Sequence, residues 1–486
     1  MALSFISVPI FLSAVGAEGY GILLLVSSIM SYFQILNGGV PAGTVKYVAE
    51  YEAKEDSKTV NEVISSSFVF YLGAGVAVAS AVALFTALGG LSLFNISAEK
   101  QEETKWLLYV ASVLTVVSWP VNTWGQALAG LQRYPEKNLA EGLGNTFSKV
   151  LAIGAALAGQ SLLIIFLCQQ AGIVITASFN ARSLRKVFPQ WSMSPKYFSL
   201  STLRMIFHYS VWMLLDKLQY ILVVKTDRII LGMFLPVSSL TIYHIVTAPA
   251  KYIDTFSHLF TSTITPAVSA TEAKHGRGGL EGYIYLATRY ANAFIAPMAI
   301  IGALLCGPLI TLWVGADYLS YVWIAQVACI MKAAQILGGL YPVFNGAGVV
   351  KEKTLIGTFT AVLNVPLGVW WVQVVGVAGV VFSTIAARLL SVPLMMIFAL
   401  PKLQINLSRY LRHVVVKGQW TSWALALLLL PFWGYFQAID SWGEFAVHLI
   451  GLALVFYGAA IAVVLENRHR IRARTSLTKL FNRARA

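Results

Sequence analysis

The fold class predicted by this sequence is an all-α polytopic membrane protein, and three observations predict it. Of its 486 residues, 57% are hydrophobic and only 12% are charged, about half the charged share of a soluble domain. The hydropathy falls in repeated apolar runs as long as a membrane-spanning helix, not in the short alternating segments of a transmembrane barrel. The basic residues gather in alternate connections between those runs, the pattern that sets topology in a bilayer.

Fourteen spans are expected, at about 3–15, 20–41, 63–88, 106–128, 141–158, 161–181 and 209–235, then 241–264, 286–313, 320–343, 354–373, 377–399, 420–436 and 445–465. The junctions after Gly159 and Gly376 are very short, which predicts tight helical hairpins. With this layout one side of the membrane collects 25 of the 35 lysines and arginines, including seven after Glu466, against Lys100 and Lys105 on the other. That asymmetry places both termini in the cytoplasm. The start has no basic n-region and no small-residue cleavage site, so it does not read as a signal peptide. Its first run is short, either a tilted span or one lacking its cytoplasmic turn.

Two similar segments point to a duplicated architecture. Glu136-Lys-Asn-Leu139 leads into the fifth span, and Glu352-Lys-Thr-Leu355 leads into the eleventh, six spans later. The expected plan is two six-helix lobes around a central cavity, residues 1–182 and 206–400, joined by a cytoplasmic linker at 183–205. An additional helix pair follows at 401–465 and a basic cytoplasmic tail at 466–486. The linker carries an amphipathic part near Leu203-Arg-Met-Ile-Phe207, and the tail reads as a positive anchor or a lipid head-group site.

The composition excludes several function classes. The net charge of +14 lies mostly in short loops, so nucleic acid is not an expected partner, whereas membrane lipids are. Cys168, Cys306 and Cys329 sit inside apolar runs without ligand spacing, so no metal site or disulfide is expected. No P-loop, His-x-x-x-His or Cys-x-x-Cys occurs, and the longest external loop, about 89–105, is too small for a catalytic domain. Catalytic residues are therefore not expected, nor is ATP-driven transport.

Charges inside the spans carry the functional signal. Each costs about 2.5–3.5 kcal/mol at a bilayer centre, so it requires a partner or a task. Eight cations lie within spans: Lys149, Lys217, Lys225, Arg228, Lys251, Arg289, Lys332 and Arg388, against only Asp216, Asp227 and Asp254. On an unbroken helix Asp216 and Asp227 share one face, as do Lys217 and Arg228. That face lines a cavity or a helix contact, and Asp227 can pair internally with Arg228 or Lys225. Lys251 and Asp254, three apart, can satisfy each other. Lys332 and Arg388 have no acid in their own spans, and Lys149 has only Glu141 two turns earlier. Arg289 is near enough to a boundary to snorkel. Surplus cations imply an anionic substrate, best a phosphate or pyrophosphate. Prolines at 120, 249, 266, 297, 308, 342, 366 and 393 are expected to interrupt or cap the spans, letting helix bundles bend.

Several motifs resemble one family. They are Gly16-Ala-Glu-Gly19-Tyr20-Gly21, Asn37-Gly-Gly39 with Lys46-Tyr-Val-Ala49, Asp227-Arg-Ile-Ile-Leu-Gly232, Tyr243 and Pro266-Ala-Val-Ser269. The most specific is Gly307-Pro-Leu-Ile-Thr-Leu-Trp313-Val-Gly315-Ala-Asp-Tyr318. Together they resemble bacterial polysaccharide exporters and O-antigen-type oligosaccharide flippases, in the multidrug/oligosaccharidyl-lipid/polysaccharide exporter superfamily. The resemblance implies a V-shaped fold and alternating access. It also implies flipping of undecaprenyl-pyrophosphate-linked oligosaccharide across the bacterial inner (plasma) membrane for polysaccharide or lipopolysaccharide synthesis. Lys149, Lys225, Asp227, Arg228, Lys251, Lys332 and Arg388 are then the candidate substrate-binding residues. No cofactor is implied beyond a coupling ion, H+ or Na+, and polysaccharide assembly machinery is a further partner to expect. The alternatives are a multidrug extrusion antiporter of the same superfamily, which needs a cavity carboxylate, and a membrane-embedded polysaccharide polymerase or ligase.

Overall fold

The computed structural model describes residues 2–34, 39–334 and 340–464. Asn37, Gly38 and the basic tail 466–486 lie outside the described residues, as do the side chains of Asp216 and Lys217. In order, the helices begin with α1 (Ala2–Phe33), α2 (Val40–Glu52), α3 (Ser57–Ala87), α4 (Ala98–Gly130) and α5 (Tyr134–Leu157). Next come α6 (Leu162–Gln170), α7 (Gly172–Val187), α8 (Leu200–Val224), α9 (Thr226–Phe234) and α10 (Ser238–Thr261). They continue with α11 (Ile264–His275), α12 (Leu280–Val314), α13 (Val322–Ala333), α14 (Leu340–Gly346) and α15 (Val350–Val375). The last are α16 (Val377–Leu394), α17 (Leu407–Tyr410), α18 (Lys417–Leu429), α19 (Trp433–Gln437) and α20 (Trp442–Val464).

The protein is all-helical and polytopic. Among the described residues nine segments are long and apolar enough to cross a membrane, and each of the fourteen expected runs falls largely on helix. Helices α5 and α10, which carry Lys149 and Lys251, fall outside the nine because charged and small polar residues dilute their hydropathy. The surface is apolar where a soluble protein's would be polar: Leu84, Val113, Val174 and Leu454 are each at least 60% exposed. Polar hydroxyls turn inward instead. Ser28 donates to Leu24 O (2.8 Å) and Thr86 to Val82 O (2.8 Å), one turn back along their own helices, which satisfies them without water.

The helix breaks differ from those expected. Pro120, Pro249, Pro297, Pro308, Pro366 and Pro393 all lie inside continuous helices. The chain breaks instead at Gly16 (φ 70°, ψ 175°), which divides α1 into the two expected pieces, and at Lys225, which separates α8 from α9. Gly159 (φ 65°) and Gly376 (φ 63°) make the two predicted tight turns in the left-handed region that glycine tolerates.

Contacts divide the chain into two compact units, Met1–Thr241 with Gly368–Val380, and Ile242–Leu367 with Val381–Ala486. In the first unit, Asn95 terminates α9: its backbone N–H donates to Gly232 O (2.9 Å) and its side-chain amide to Met233 O (2.9 Å). Helices α5 and α7 meet at Gly144 and Gly172, where a Cβ on either residue would strike the other's backbone. Ser148 accepts from the Gly172 N–H at 2.7 Å and locks that crossing. The 183–205 stretch is held against α3, because Asn61 donates to Gln190 O (3.0 Å) and accepts from Ser192 N (2.9 Å), and Ser66 accepts from Ser199 N (3.0 Å).

In the second unit α12 is the axis, buried along most of its apolar length. Pro308 has no N–H, so the carbonyl of Leu304 one turn back loses its helical donor. The amide of Gln437, the last residue of α19, supplies the missing donor at 3.0 Å. Gly307 makes room for it, since a Cβ there would collide with Gln437 Oε1. A second amide pair, Gln419 to Asn292 Oδ1 (3.0 Å), ties α18 to α12, and Tyr457 of α20 donates to Phe294 O (3.1 Å).

Replacing Gln437 by Leu leaves that carbonyl unsatisfied and costs about 1–3 kcal/mol. In detergent, Q437L is expected to unfold at lower temperature than wild type, and a G307V variant, which also overpacks the crossing, at lower temperature still. Unchanged thermal unfolding in both variants is the result that this geometry does not allow.

Candidate substrate site

The seven candidate residues divide between the units: Lys149, Lys225, Asp227 and Arg228 lie in the first, and Lys251, Lys332 and Arg388 in the second. The first group centres on the interruption after α8. Lys225 ends that helix, its N–H donating to Ile221 O at 2.9 Å. Thr226 and Asp227 then open α9, with the Asp227 carboxylate in the first turn, where the helix dipole favours a negative charge. Asp227 is 3% exposed, while Lys225 and Arg228 are half-buried and close enough for their like charges to act on each other. The Tyr32 hydroxyl of α1 hydrogen-bonds Thr226 Oγ1, so α1 helps fix the start of α9.

The single charged face expected along 209–235 also takes in Asp216 and Lys217, whose side chains lie outside the described residues. Between them and Asp227 the chain passes through Lys225 (φ −107°, ψ −25°), where α8 gives way to α9. Lys149 stands apart from this cluster on α5, half-exposed. Glu141, its expected partner, is engaged by Lys137 at 2.8 Å.

In the second unit the pairing also differs from the i,i+3 expectation. Asp254 Oδ2 lies 2.6 Å from Lys332 Nζ, bridging α10 and α13 across 78 positions of sequence. The Lys332 side chain is only 10% exposed and that of Asp254 51%. Lys251 instead donates to Thr247 Oγ1 at 2.8 Å and lies 5.2 Å from the Tyr243 ring centroid. The physical reason is direction: helical side chains lean towards the N-terminus, so Lys251 reaches back one turn to Thr247. Arg388 on α16 is near enough for its charge to act on Lys332. Lys332, Arg388 and Asp254 thus form a cluster carrying two cations and one carboxylate.

Sequence reasoning passed over Asp254 as the Lys332 partner, because that contact joins residues distant in the chain. It also passed over Tyr32 and Thr226, though Thr-Asp at 226–227 is a legible helix-start signal. Among the described residues no group of three or more His, Cys, Asp or Glu could hold a metal ion.

Removing the Asp254 carboxylate strands a nearly buried ammonium. D254A is expected to destabilise the second unit by about 2–3 kcal/mol, below the usual 3–5 for a wholly buried pair because this carboxylate is half in the open. The double variant D254A/K332M should recover most of that loss in thermal unfolding. Simple addition of the two single effects would mean that the ion pair contributes nothing.

The family described as polysaccharide biosynthesis protein matches residues 1–272. Over 327 residues the chain is 20% identical to the membrane protein EpsK of Bacillus subtilis (strain 168), covering 64% of this chain and 61% of EpsK, less than two thirds of that relative. An inward-facing multidrug resistance MATE family transporter of the MOP superfamily aligns with TM-score 0.69 and 16% identity, covering 83% of this chain and 94% of that one. The lipid II flippase MurJ, inward closed, aligns with TM-score 0.66 and 15% identity, covering 94% and 95%. Those structures share the fold, an all-helical polytopic membrane fold. With more than half its length matched, the chain belongs to the polysaccharide biosynthesis protein family.

Proposed function

We propose that this protein moves an anionic lipid-linked saccharide across the bacterial inner membrane by alternating access, supplying surface-polysaccharide synthesis of the O-antigen type. The observation that carries the reading is the surplus of cations inside the membrane-embedded helices. Among the site residues each unit brings three cations, and one carboxylate accompanies them: Asp227 in the first, Asp254 in the second. A pyrophosphate desolvates at least cost where several ammonium and guanidinium groups replace its water. Arg228 and Arg388 supply planar bidentate donors; Lys149, Lys225, Lys251 and Lys332 supply point charges, with Asp227 and Asp254 holding basic neighbours in place.

The fold likeness to a lipid II flippase supports this reading, as does membership of a polysaccharide biosynthesis family. The likeness to MATE transporters supports multidrug extrusion as a second reading. That chemistry favours an acidic site for cationic drugs, opposite in sign to the cation surplus of each unit. Coverage also separates the two, since the flippase spans 94% of this chain and the multidrug transporter 83%. On this reading the protein forms no covalent intermediate and is not an enzyme. Both termini are cytoplasmic, following the 25-to-2 loop asymmetry. Transport is driven by an H+ or Na+ gradient or by consumption of the product, with assembly machinery receiving it.

In a strain deleted for the gene, R228A and R388A are expected to insert normally but to restore less than a tenth of the wild-type surface polysaccharide, with the lipid-linked precursor accumulating. R388K, which keeps the charge but loses the planar fork, should restore an intermediate amount. Full restoration by both alanine variants would remove the cationic site from the account.

A further inference from the structure

The first unit contains two adjoining cavities, of about 230 and 240 Å³, that none of the charged candidate residues lines. They share Gln169, Gln170 and Ile173, at the junction of α6 and α7. Asn122 and Asn145 open onto the first cavity, and Trp119 and Phe166 onto the second. Each has the volume of seven or eight waters, at roughly 30 Å³ per water, and so room for a single sugar ring.

The four amides are the informative groups. Among the described residues Asn122, Asn145, Gln169 and Gln170 make no side-chain hydrogen bond within the protein; Asn122 and Asn145 are exposed, and Gln169 and Gln170 are half-buried. Gln169 and Gln170 stand in the middle of the apolar 161–181 segment, half-buried at the wall that both cavities share. Their amides are free to take hydrogen bonds from water or a ligand in those cavities. Each amide offers both donors and acceptors, which matches the hydroxyl of a sugar and not the acceptor-only oxygens of a phosphate. Among the described residues the only ionisable side chain on either wall is Glu141, which Lys137 already engages. Trp119 and Phe166, 8% and 6% exposed, give the second cavity an aromatic wall suited to the C–H face of a pyranose.

We propose that this pair of cavities is a saccharide subsite that reads the neutral glycan, separate from the cationic groups that hold the pyrophosphate. The proposal rests on the lipid-linked saccharide reading and deepens it. The cations recognise what all such carriers have in common, and the amides recognise what distinguishes one glycan from another. The Gly144–Gly172 crossing fixes the wall geometry, because both glycines line the first cavity.

The test is binding by the purified full-length protein to two probes, undecaprenyl pyrophosphate alone and undecaprenyl-pyrophosphoryl-N-acetylglucosamine. Wild type should bind the sugar-bearing probe about tenfold more tightly, the sum of a few neutral hydrogen bonds. The near-isosteric Q169M and N145L variants should lose that difference while keeping the affinity for the bare probe. Unchanged bare-probe affinity also certifies that each variant is folded. If wild type binds both probes equally, or the variants keep the tenfold difference, the subsite is refuted while the cationic reading stands. If wild type binds neither probe, the lipid-linked reading fails, and the subsite falls with it.

Discussion

The carbonyl of Leu304 has no helical donor because residue 308 is proline, and it sits where no lipid can replace that donor. Gln437, on a helix more than a hundred residues later, supplies it. The same constraint governs the rest of the protein: a polar group inside the hydrocarbon layer needs a partner from the chain, from trapped water or from substrate. Serine and threonine hydroxyls meet it locally by donating one turn back. Asn95 meets it for the end of α9, and Gln419 and Asn292 meet it for each other.

The charged groups obey the constraint at higher stakes. Lys332 is nearly buried and survives against the carboxylate of Asp254, with Arg388 nearby. Asp227 survives in the first turn of α9, where the helix end is itself positive. In both places the cations outnumber the carboxylates among the site residues. That surplus would be costly in an inert scaffold, and on the proposed reading an anionic head group neutralises it. The neutral amides of the first unit pose the same problem without charge, and a neutral ligand answers it.

Much of the fold was legible in the sequence because the bilayer imposes a coarse rule. Apolar runs had to be helices, and among the described residues each expected run falls largely on helix. The tight turns at Gly159 and Gly376 were legible from chain length alone. What escaped were contacts between distant residues and the direction of individual side chains. Lys251 and Asp254 had ideal spacing, yet Lys251 reaches back to Thr247 and Asp254 meets Lys332. Pro266 stands in the first turn of α11, as a capping proline would, but six others lie inside helices, and at Pro308 the Gln437 amide repairs the backbone. The break at Lys225 was masked by apolar flanks, although Thr226 and Asp227 marked a new helix start. Gln169 and Gln170 stood out against their apolar neighbours, but uncharged groups attract less notice than an arginine.

The central claim is that interior positive charge serves an anionic lipid-linked substrate. Reconstitution into vesicles loaded with undecaprenyl-pyrophosphoryl-N-acetylglucosamine tests it most directly, by following its appearance in the opposite leaflet. The account predicts protein-dependent translocation that collapses in R388A and is not matched by any transport of a lipophilic cationic drug. Drug transport by wild type, with the saccharide lipid left in its original leaflet, would contradict it.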